Sequence, residues 1–113
     1  MEKEAIESLV FTNKSKTELI DETIISFQSL MYDTFFHKGN HKLKNEFPEN
    51  THPDDLRIKL DNVVIYIESL NSAGLSIEVI LDIFTHSTNT ELGTFSQIFN
   101  EEGKLIDEIL VMN

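Results

Sequence analysis

Hydrophobic residues recur with two different periods along this chain, and the first period is that of a helix. In the N-terminal part they form one helical stripe with spacings of four, three, four and four residues, at Ile20, Ile24, Phe27, Met31 and Phe35. Ser15 followed by Glu18 is a capping box, in which each side chain satisfies a free backbone N–H at the start of a helix. Gly39 supplies a stop signal. We therefore predict one long helix in this region.

After a polar connection at residues 37–55, the hydrophobic period changes to two. Residues 56–60 alternate between apolar and charged side chains, and a segment rich in β-branched residues follows at 63–70. Asp61-Asn62 lies between these segments and is predicted to form a tight turn, since both residue types tolerate the left-handed region. The pattern therefore predicts two strands joined by that turn.

The C-terminal part continues with the period of a β-strand. A row of apolar residues is predicted to point inward at Leu75, Ile77, Val79, Leu81 and Ile83. Polar residues, among them Glu78 and Asp82, alternate with this row and are expected on the solvent side. A final hairpin is predicted from residues 94–99 and 104–112, joined by a turn at residues 100–103 that ends in glycine.

One helix followed by strands and short turns is typical of the α+β class. We predict a single α+β domain over residues 1–113, long enough to bury a core without disulfides or metals. Its long N-terminal helix is expected to pack on a curved, cone-like antiparallel sheet of about four to six strands.

The middle of the chain also supports an all-helical alternative. The segment Lys59–Tyr66, followed by Gly74-Leu75-Ser76-Ile77-Glu78, resembles part of an all-helical MazG-type nucleotide pyrophosphohydrolase. That family binds magnesium through an acidic pair three residues apart, whereas the matching positions here are Lys59 and Asn62. The resemblance therefore implies an inactive member. We prefer the sheet, because the terminal hairpin does not fit an all-helical fold.

Charge is the strongest functional signal in the sequence. Twenty acidic residues face nine basic ones, which gives a net charge of −11. From Leu60 onward nine acidic residues face a single basic one, Lys104, so this half carries −8. Strand alternation is expected to gather several of these carboxylates on one surface, which attracts basic proteins and repels nucleic acid and anionic lipid. We therefore expect a basic protein partner, and neither nucleic acid nor a membrane.

The predicted partner-binding surface combines these acids with apolar and aromatic anchors. Ile80 and Phe84 are expected on the same strand face as Glu78 and Asp82. A patch of large apolar side chains rimmed by carboxylates is typical of an interface with a basic protein. The candidate partner-binding residues are Glu68, Glu78, Asp82, Phe84, Glu91, Phe95, Glu101, Glu102, Asp107, Glu108 and Tyr66.

Other chemistry finds little support in the sequence. The chain has no cysteine, which excludes disulfides, Cys-ligated metals and a thiol nucleophile. Asp33, His37 and His41 have a spacing that suits metal ligands on one helix face, but Gly39 is expected to end that helix. We predict no metal, no cofactor and no enzymatic activity. Because no signal peptide or long apolar segment is recognisable, we expect a cytoplasmic protein.

Two resemblances suggest a function. The last hairpin, Phe95–Asp107, is similar to the closing strands of the NTF2-like cone fold. In size, acidity, lack of cysteine and lack of a catalytic motif, the chain resembles the immunity proteins of bacterial toxin–immunity systems, including contact-dependent growth inhibition. This resemblance implies an immunity protein that binds and neutralises a basic toxin, with a nuclease as the expected class. Such a toxin is cationic because it holds nucleic acid.

Two alternatives stay open at this point. One is an NTF2-like small-ligand-binding domain or enzyme, with a pocket between helix and sheet that uses Asp33, His37 or Tyr66. The other is a phage-type inhibitor of a host protein, which would use the same acidic surface as an immunity protein.

Overall fold

The computed structural model describes residues 14–36, 41–67 and 74–113, with the side chains of all of these except residues 41 and 42. The elements in chain order are α1 Lys16–Phe36, α2 His41–Lys44, a 3-10 turn Pro53–Asp55, and strands β1 Leu56–Ile67, β2 Leu75–Thr85, β3 Glu91–Asn100 and β4 Leu105–Met112. The predicted α+β class is confirmed, with one long helix packed with one antiparallel sheet.

The sheet is a four-stranded antiparallel meander in the order β1-β2-β3-β4. Among the described residues the sheet is not closed, and β1 and β4 lie at its edges. The segments that suggested an all-helical fold lie in β1 and at the start of β2. The helical alternative is therefore wrong, because β-branched residues in both segments pair along the two strands.

One half of the predicted capping box is present at the start of α1, and the Glu18 carboxylate lies near the Ser15 hydroxyl instead of bonding the Ser15 backbone N–H. The backbone N–H of Glu18 donates to Ser15 Oγ at 3.1 Å, which satisfies one of the free donors of the first turn. The buried stripe is centred on Leu19, Thr23, Phe27, Met31 and Thr34. It runs beside the predicted stripe, since Ile20, Ile24 and Phe35 are only partly buried at its flank.

Two threonines can lie in this buried stripe because their hydroxyls are bonded within the helix. Thr23 Oγ1 donates to the carbonyl of Leu19 at 2.8 Å, and Thr34 Oγ1 donates to the carbonyl of Leu30 at 2.7 Å. A buried hydroxyl without a partner would cost about 1–3 kcal/mol. The helix thus keeps a packed face without a continuous row of large apolar residues.

The core lies between α1 and the two central strands. The predicted inward row of β2 is confirmed at Ile77, Val79, Leu81 and Ile83, which are all buried. Phe95 and Phe99 of β3 join it, and the rings of Phe27 and Phe95 meet edge to face with centroids 5.5 Å apart. The opposite end of the helix is completed by Phe47, whose ring lies against Phe35.

The predicted turn at Asp61-Asn62 is wrong, because β1 continues through it as a β-bulge. The pairing with β2 shifts between Leu60 and Asn62, so one extra residue stands on β1. Before the bulge the even-numbered residues Leu56 and Ile58 pack toward the helix, and after it the odd-numbered residues Val63 and Ile65 do so. The bulge therefore keeps apolar residues on one face although their spacing in the sequence changes.

The predicted turn between the last two strands is confirmed. Asn100 Oδ1 accepts hydrogen bonds from the backbone N–H groups of Glu102 and Lys104, both at 2.9 Å. Gly103 has φ 81°, a left-handed conformation that glycine adopts without steric cost. Its Cα faces the side chain of Lys14, which brings the start of α1 against this turn.

The start of β1 is tied to the tip of the β2–β3 hairpin. Asp55 accepts hydrogen bonds from the backbone N–H of Ser87 at 2.9 Å and from Ser87 Oγ at 2.6 Å. The hydroxyl bond, followed by the backbone bond and the nearby His86 and Arg57, lowers the pKa of Asp55 below its usual 3.8 against a smaller opposing effect of desolvation.

Neither described helix combines the length and the apolar character that a membrane-spanning helix needs.

Candidate binding surface on the sheet face opposite the helix

The sheet has one face that packs against the described helices and one that does not. Side chains of α1 and Leu43 of α2 belong to the core or pack against it. Cross-strand pairing and alternation assign the other face, called here the open face, to Arg57, Lys59, Asn62, Val64 and Tyr66 of β1, Ser76, Glu78, Ile80, Asp82 and Phe84 of β2, Glu91, Thr94, Ser96, Ile98 and Asn100 of β3, and Asp107, Ile109 and Val111 of β4.

Glu78 lies near the middle of the open face, and both of its carboxylate oxygens are bonded. Tyr66 Oη donates to Oε1 at 2.6 Å, and Ser96 Oγ donates to Oε2 at 2.8 Å. The bond to Glu78, followed by desolvation and the carboxylate charge, raises the pKa of Tyr66 above its usual 10.0. The three side chains come from three adjacent strands, so the carboxylate is held in one orientation across the sheet.

Charge on the open face is divided between its two sides. The carboxylates of Glu78, Asp82, Glu91 and Asp107 stand on β2, β3 and β4. The cations stand on β1. Lys59 lies opposite Asp82 in the strand register, and its Nζ lies 5.7 Å from the ring centroid of Phe84. The β1 side therefore offsets part of the negative charge, and the side toward β4 keeps it.

Large apolar side chains lie between these charges. Ile80 and Ile98 occupy the two central strands, and Ile109 and Val111 follow on β4 with exposed fractions of 36% and 53%. Apolar side chains grouped in this way and surrounded by polar ones are typical of a protein-binding surface. The open face thus combines apolar contact area with oriented carboxylates.

The structure brings about half of the predicted partner-binding residues together. Those that share the open face are Tyr66, Glu78, Asp82, Phe84, Glu91 and Asp107. Glu101 and Glu102 lie instead in the β3–β4 turn, where Glu102 is 3.3 Å from Lys104 Nζ. Glu68 lies outside the described residues.

Two predicted partner-binding residues lie on the face toward the helix. Phe95 is fully buried and packs against Phe27, so the prediction that it anchors a partner is wrong. Side chains along β3 alternate between the two faces of the sheet, and the position of Phe95 in this alternation puts it on the core side. Glu108 also stands on the helix side of β4, where its Oε2 accepts a hydrogen bond from Nε2 of the buried Gln97 at 2.9 Å. Glu108 is thus the inward member of the Asp107-Glu108 pair.

Sequence reasoning missed the basic residues Arg57 and Lys59 and the apolar residues Ile98, Ile109 and Val111 of this face. The signal that could have found the β1 residues is the change of phase from Leu56, Ile58 and Leu60 to Val63, Ile65 and Ile67. A single odd spacing inside an otherwise alternating segment indicates a bulge as well as a turn. If the odd spacing is interpreted as a bulge, Arg57 and Lys59 fall at strand positions that belong to the open face.

A groove separate from the open face lies between α1 and β1. This groove of about 410 Å³ is lined by Phe27, Met31, Tyr32, Phe36, Pro53 and Leu56, among others. Tyr66 stands on the opposite face of the sheet, so the predicted use of Tyr66 in a helix–sheet pocket is wrong. Asp33 does not line the groove, and His37 lies outside the described residues.

Among residues 14–36, 41–67 and 74–113, no group of three or more His, Asp or Glu side chains is placed to hold a metal ion. Comparison of the chain with protein-family models, with curated proteins and with solved structures gave no match in any of the three.

Proposed function

We propose that this chain is an inhibitor of the immunity-protein type, which binds and neutralises a basic protein toxin through the open face of its sheet. The observation that supports this proposal is the composition of that face. Ile80, Ile98 and Ile109 provide apolar contact area, and Glu78, Asp82 and Asp107 stand among them. Apolar anchors surrounded by charges of one sign suit a partner with a basic rim.

The division of charge on the open face suggests how the partner is oriented. Glu91 and Asp107 stand on β3 and β4, whereas the carboxylate of Asp82 on β2 stands beside Lys59 of β1. A cationic partner therefore places its most basic region over β3 and β4. A nuclease is the expected class, because its active site is cationic in order to hold phosphates, and an array of carboxylates can occupy that site. The binding of such a protein would also be faster at low ionic strength.

The proposal can be tested with the protein encoded next to this chain's gene, prepared as a purified domain. Co-expression is expected to protect cells from it, and the two proteins are expected to co-purify. The dissociation constant should rise with salt concentration. If that protein neither harms cells nor forms a complex, the proposal of an immunity protein fails. A complex whose affinity ignores salt would contradict recognition led by charge.

A matched pair of variants locates the binding surface in this experiment. Ile109→Lys places a cation on the open face, whereas Ile25→Lys makes the same change on an exposed position of α1. We expect Ile109→Lys to weaken the complex at least about tenfold through like-charge repulsion and lost apolar contact, and Ile25→Lys to leave it unchanged. Equal effects of the two changes would place the partner elsewhere.

The groove between α1 and β1 supports a second candidate function, the binding of a small apolar ligand. The test uses the fluorescent dye ANS as a probe. Phe36 lines the groove and Ile25 does not, although both side chains are 63% exposed. Dye fluorescence is expected to fall for Phe36→Ala and to stay constant for Ile25→Ala. The same fluorescence from both variants would contradict this function.

A further inference from the structure

The two edges of the sheet differ in how their outward backbone groups are satisfied. One hydrogen bond shows which backbone N–H and C=O groups of β4 point toward β3. The backbone N–H of Asn113 donates to the carbonyl of Leu92 at 2.8 Å. Along an antiparallel strand such groups alternate, so Ile109 and Val111 also bond toward β3. The backbone groups of Glu108, Leu110 and Met112 therefore point away from the sheet.

The same alternation identifies the outward groups of β1. In β3, the backbone N–H and C=O groups that do not point toward β4 point toward β2, and they belong to Gly93, Phe95, Gln97 and Phe99. Their partners on β2 are odd-numbered, so the backbone groups of the even-numbered residues of β2, from Ser76 to Phe84, point toward β1. Their β1 partners are Arg57, Lys59, Asn62, Val64 and Tyr66. The backbone groups of Leu56 and Val63 consequently point outward from this edge.

Three local hydrogen bonds from side chains fall on these outward groups. On β1, Asn62 Oδ1 accepts from the N–H of Val63 at 2.9 Å, and Arg57 Nη1 donates to the carbonyl of Leu56 at 2.9 Å. On β4, Asp107 Oδ1 accepts from the N–H of Glu108 at 2.8 Å. A side chain that occupies an outward backbone group keeps a further strand from pairing there.

The β1 edge is interrupted at more points than the β4 edge, although among the described residues no side chain caps the outward backbone groups of Ile65 and Ile67. The β1 edge is capped at Leu56 and Val63 and is interrupted by the bulge between Leu60 and Asn62. The register of β4 is regular from Asp107 to Met112, and the cap lies at the beginning of that stretch. In the part of the chain that the structure describes, no side chain caps the outward groups of Leu110 and Met112. The last four residues of β4 thus form a straight edge that can accept another strand.

We infer that the β4 edge accepts an extended basic segment of the partner as a fifth strand of the sheet. This inference rests on the proposed function and specifies how the partner binds. Its basic character follows from the charges of β4, which carries two carboxylates, Asp107 and Glu108, and no cation. A second copy of this chain would bring two further carboxylates and no cation to this edge, which is unfavourable.

The added strand has a defined side-chain pattern. Residues on one of its faces would continue the open face beside Asp107, Ile109 and Val111, and residues on the other would lie beside Leu110 and Met112. Basic side chains on the first face would match Asp107, and apolar side chains on the second face would pack beside Leu110 and Met112. Backbone hydrogen bonds to Leu110 and Met112 would supply affinity that does not depend on salt.

The inference can be tested on the full chain without the toxin. The probe is a peptide that alternates lysine and valine, and the control peptide alternates glutamate and valine. NMR titration at millimolar peptide is expected to shift the amides of Leu110 and Met112 with the lysine peptide only. Shifts at the β1 edge instead, or no shift at Leu110 and Met112, would overturn the inference. Equal shifts with both peptides would remove its basic character.

A matched pair of variants separates the outward amide from the side chain that carries it. Leu110→Pro removes the outward N–H and leaves the bonds of Ile109 and Val111 to β3 in place. Leu110→Ala loses similar packing but keeps the amide. We expect Leu110→Pro to bind the lysine peptide about fivefold more weakly than Leu110→Ala. Equal affinity of the two variants would count against strand addition, provided both keep the circular dichroism of the native sheet.

Hydrogen exchange in the toxin complex distinguishes this inference from the proposed function. If the toxin binds and the amides of Leu110 and Met112 become protected, both stand. A toxin complex that leaves these two amides exchanging as in the free chain refutes strand addition and keeps the function. If the lysine peptide binds at the β4 edge but no toxin complex forms, the edge accepts a basic strand and the proposed function fails.

Discussion

The two faces of the sheet are built from the same strands, yet they have different roles. On the helix side Val79, Ile83 and Phe95 are fully buried, and the polar Gln97 is admitted only with a hydrogen-bond partner. On the open face, Ile80 and Ile98 stand beside carboxylates, and Val111 keeps 53% of its surface exposed. Apolar residues alone therefore do not make a core. A face becomes the core where a helix covers it.

The largest expected effect compares two phenylalanines on opposite faces. Phe95→Ala removes a fully buried ring that packs against Phe27, and we expect a loss of about 3–5 kcal/mol of unfolding free energy. Phe84→Ala on the open face should cost about 1–2 kcal/mol, because no closed cavity forms there. Urea unfolding of both variants measures the difference. Equal losses would show that the open face is also packed in solution.

A smaller effect separates two neighbouring carboxylates of β4. Glu108→Ala leaves the amide of the buried Gln97 without its partner and should cost about 1–3 kcal/mol of unfolding free energy. Asp107→Ala changes the open face and is expected to stay within about 0.5 kcal/mol of the native chain. Urea midpoints at neutral pH provide the measurement. The reverse order would mean that the hydrogen bond between Glu108 and Gln97 does not persist in solution.

Acid pH tests the end of the sheet, which belongs to neither face. Because the pKa of folded Asp55 is lowered, its stabilisation is present above the unfolded value of 3.8 and is lost as the pH falls through the folded pKa. Asp55→Asn should therefore reduce the dependence of stability on pH below that value. Ser87→Ala, which removes the main cause of the shift, is expected to do the same. A pH profile unchanged in both variants would contradict the role of this contact.

The smallest effect concerns Tyr66 on the open face. Its pKa is raised by Glu78, so the stabilisation from this contact is complete below the unfolded value of 10.0 and is lost as the pH rises through the folded pKa. Ultraviolet titration should find the pKa of Tyr66 above that of an ordinary tyrosine. Glu78→Gln removes the charge and is expected to lower it. A normal Tyr66 pKa in the native chain would mean that this bond does not persist in solution.

Much of the fold could be predicted because its signals are local. Ser15 and Glu18 mark the start of α1, and Asn100 with Gly103 forms the last turn through bonds within five residues. Alternation in β2 correctly placed Glu78 and Asp82 opposite the buried row. These features depend on backbone geometry and on neighbours close in the sequence.

The candidate surface was harder to predict because it depends on pairing between distant residues. A tight turn and a bulge both fit Asp61-Asn62, and only the register with β2 distinguishes them. Phe95 and Phe84 are the same residue type, and only the sheet face to which each side chain points puts Phe95 in the core and Phe84 outside it. Charge composition likewise gave the acidity of the C-terminal half but not its division between faces, turn and edge.

By itself, the amino-acid sequence determined one capped helix, the alternating strands, the closing turn and the excess of acidic residues. The tertiary structure was needed to show that the helix covers one face, that Lys59 stands on the other, and that Asp107 and Glu108 point to opposite sides. The reason is physical. Caps and turns are satisfied within a few residues, whereas strand register is decided by contacts between residues far apart in the chain.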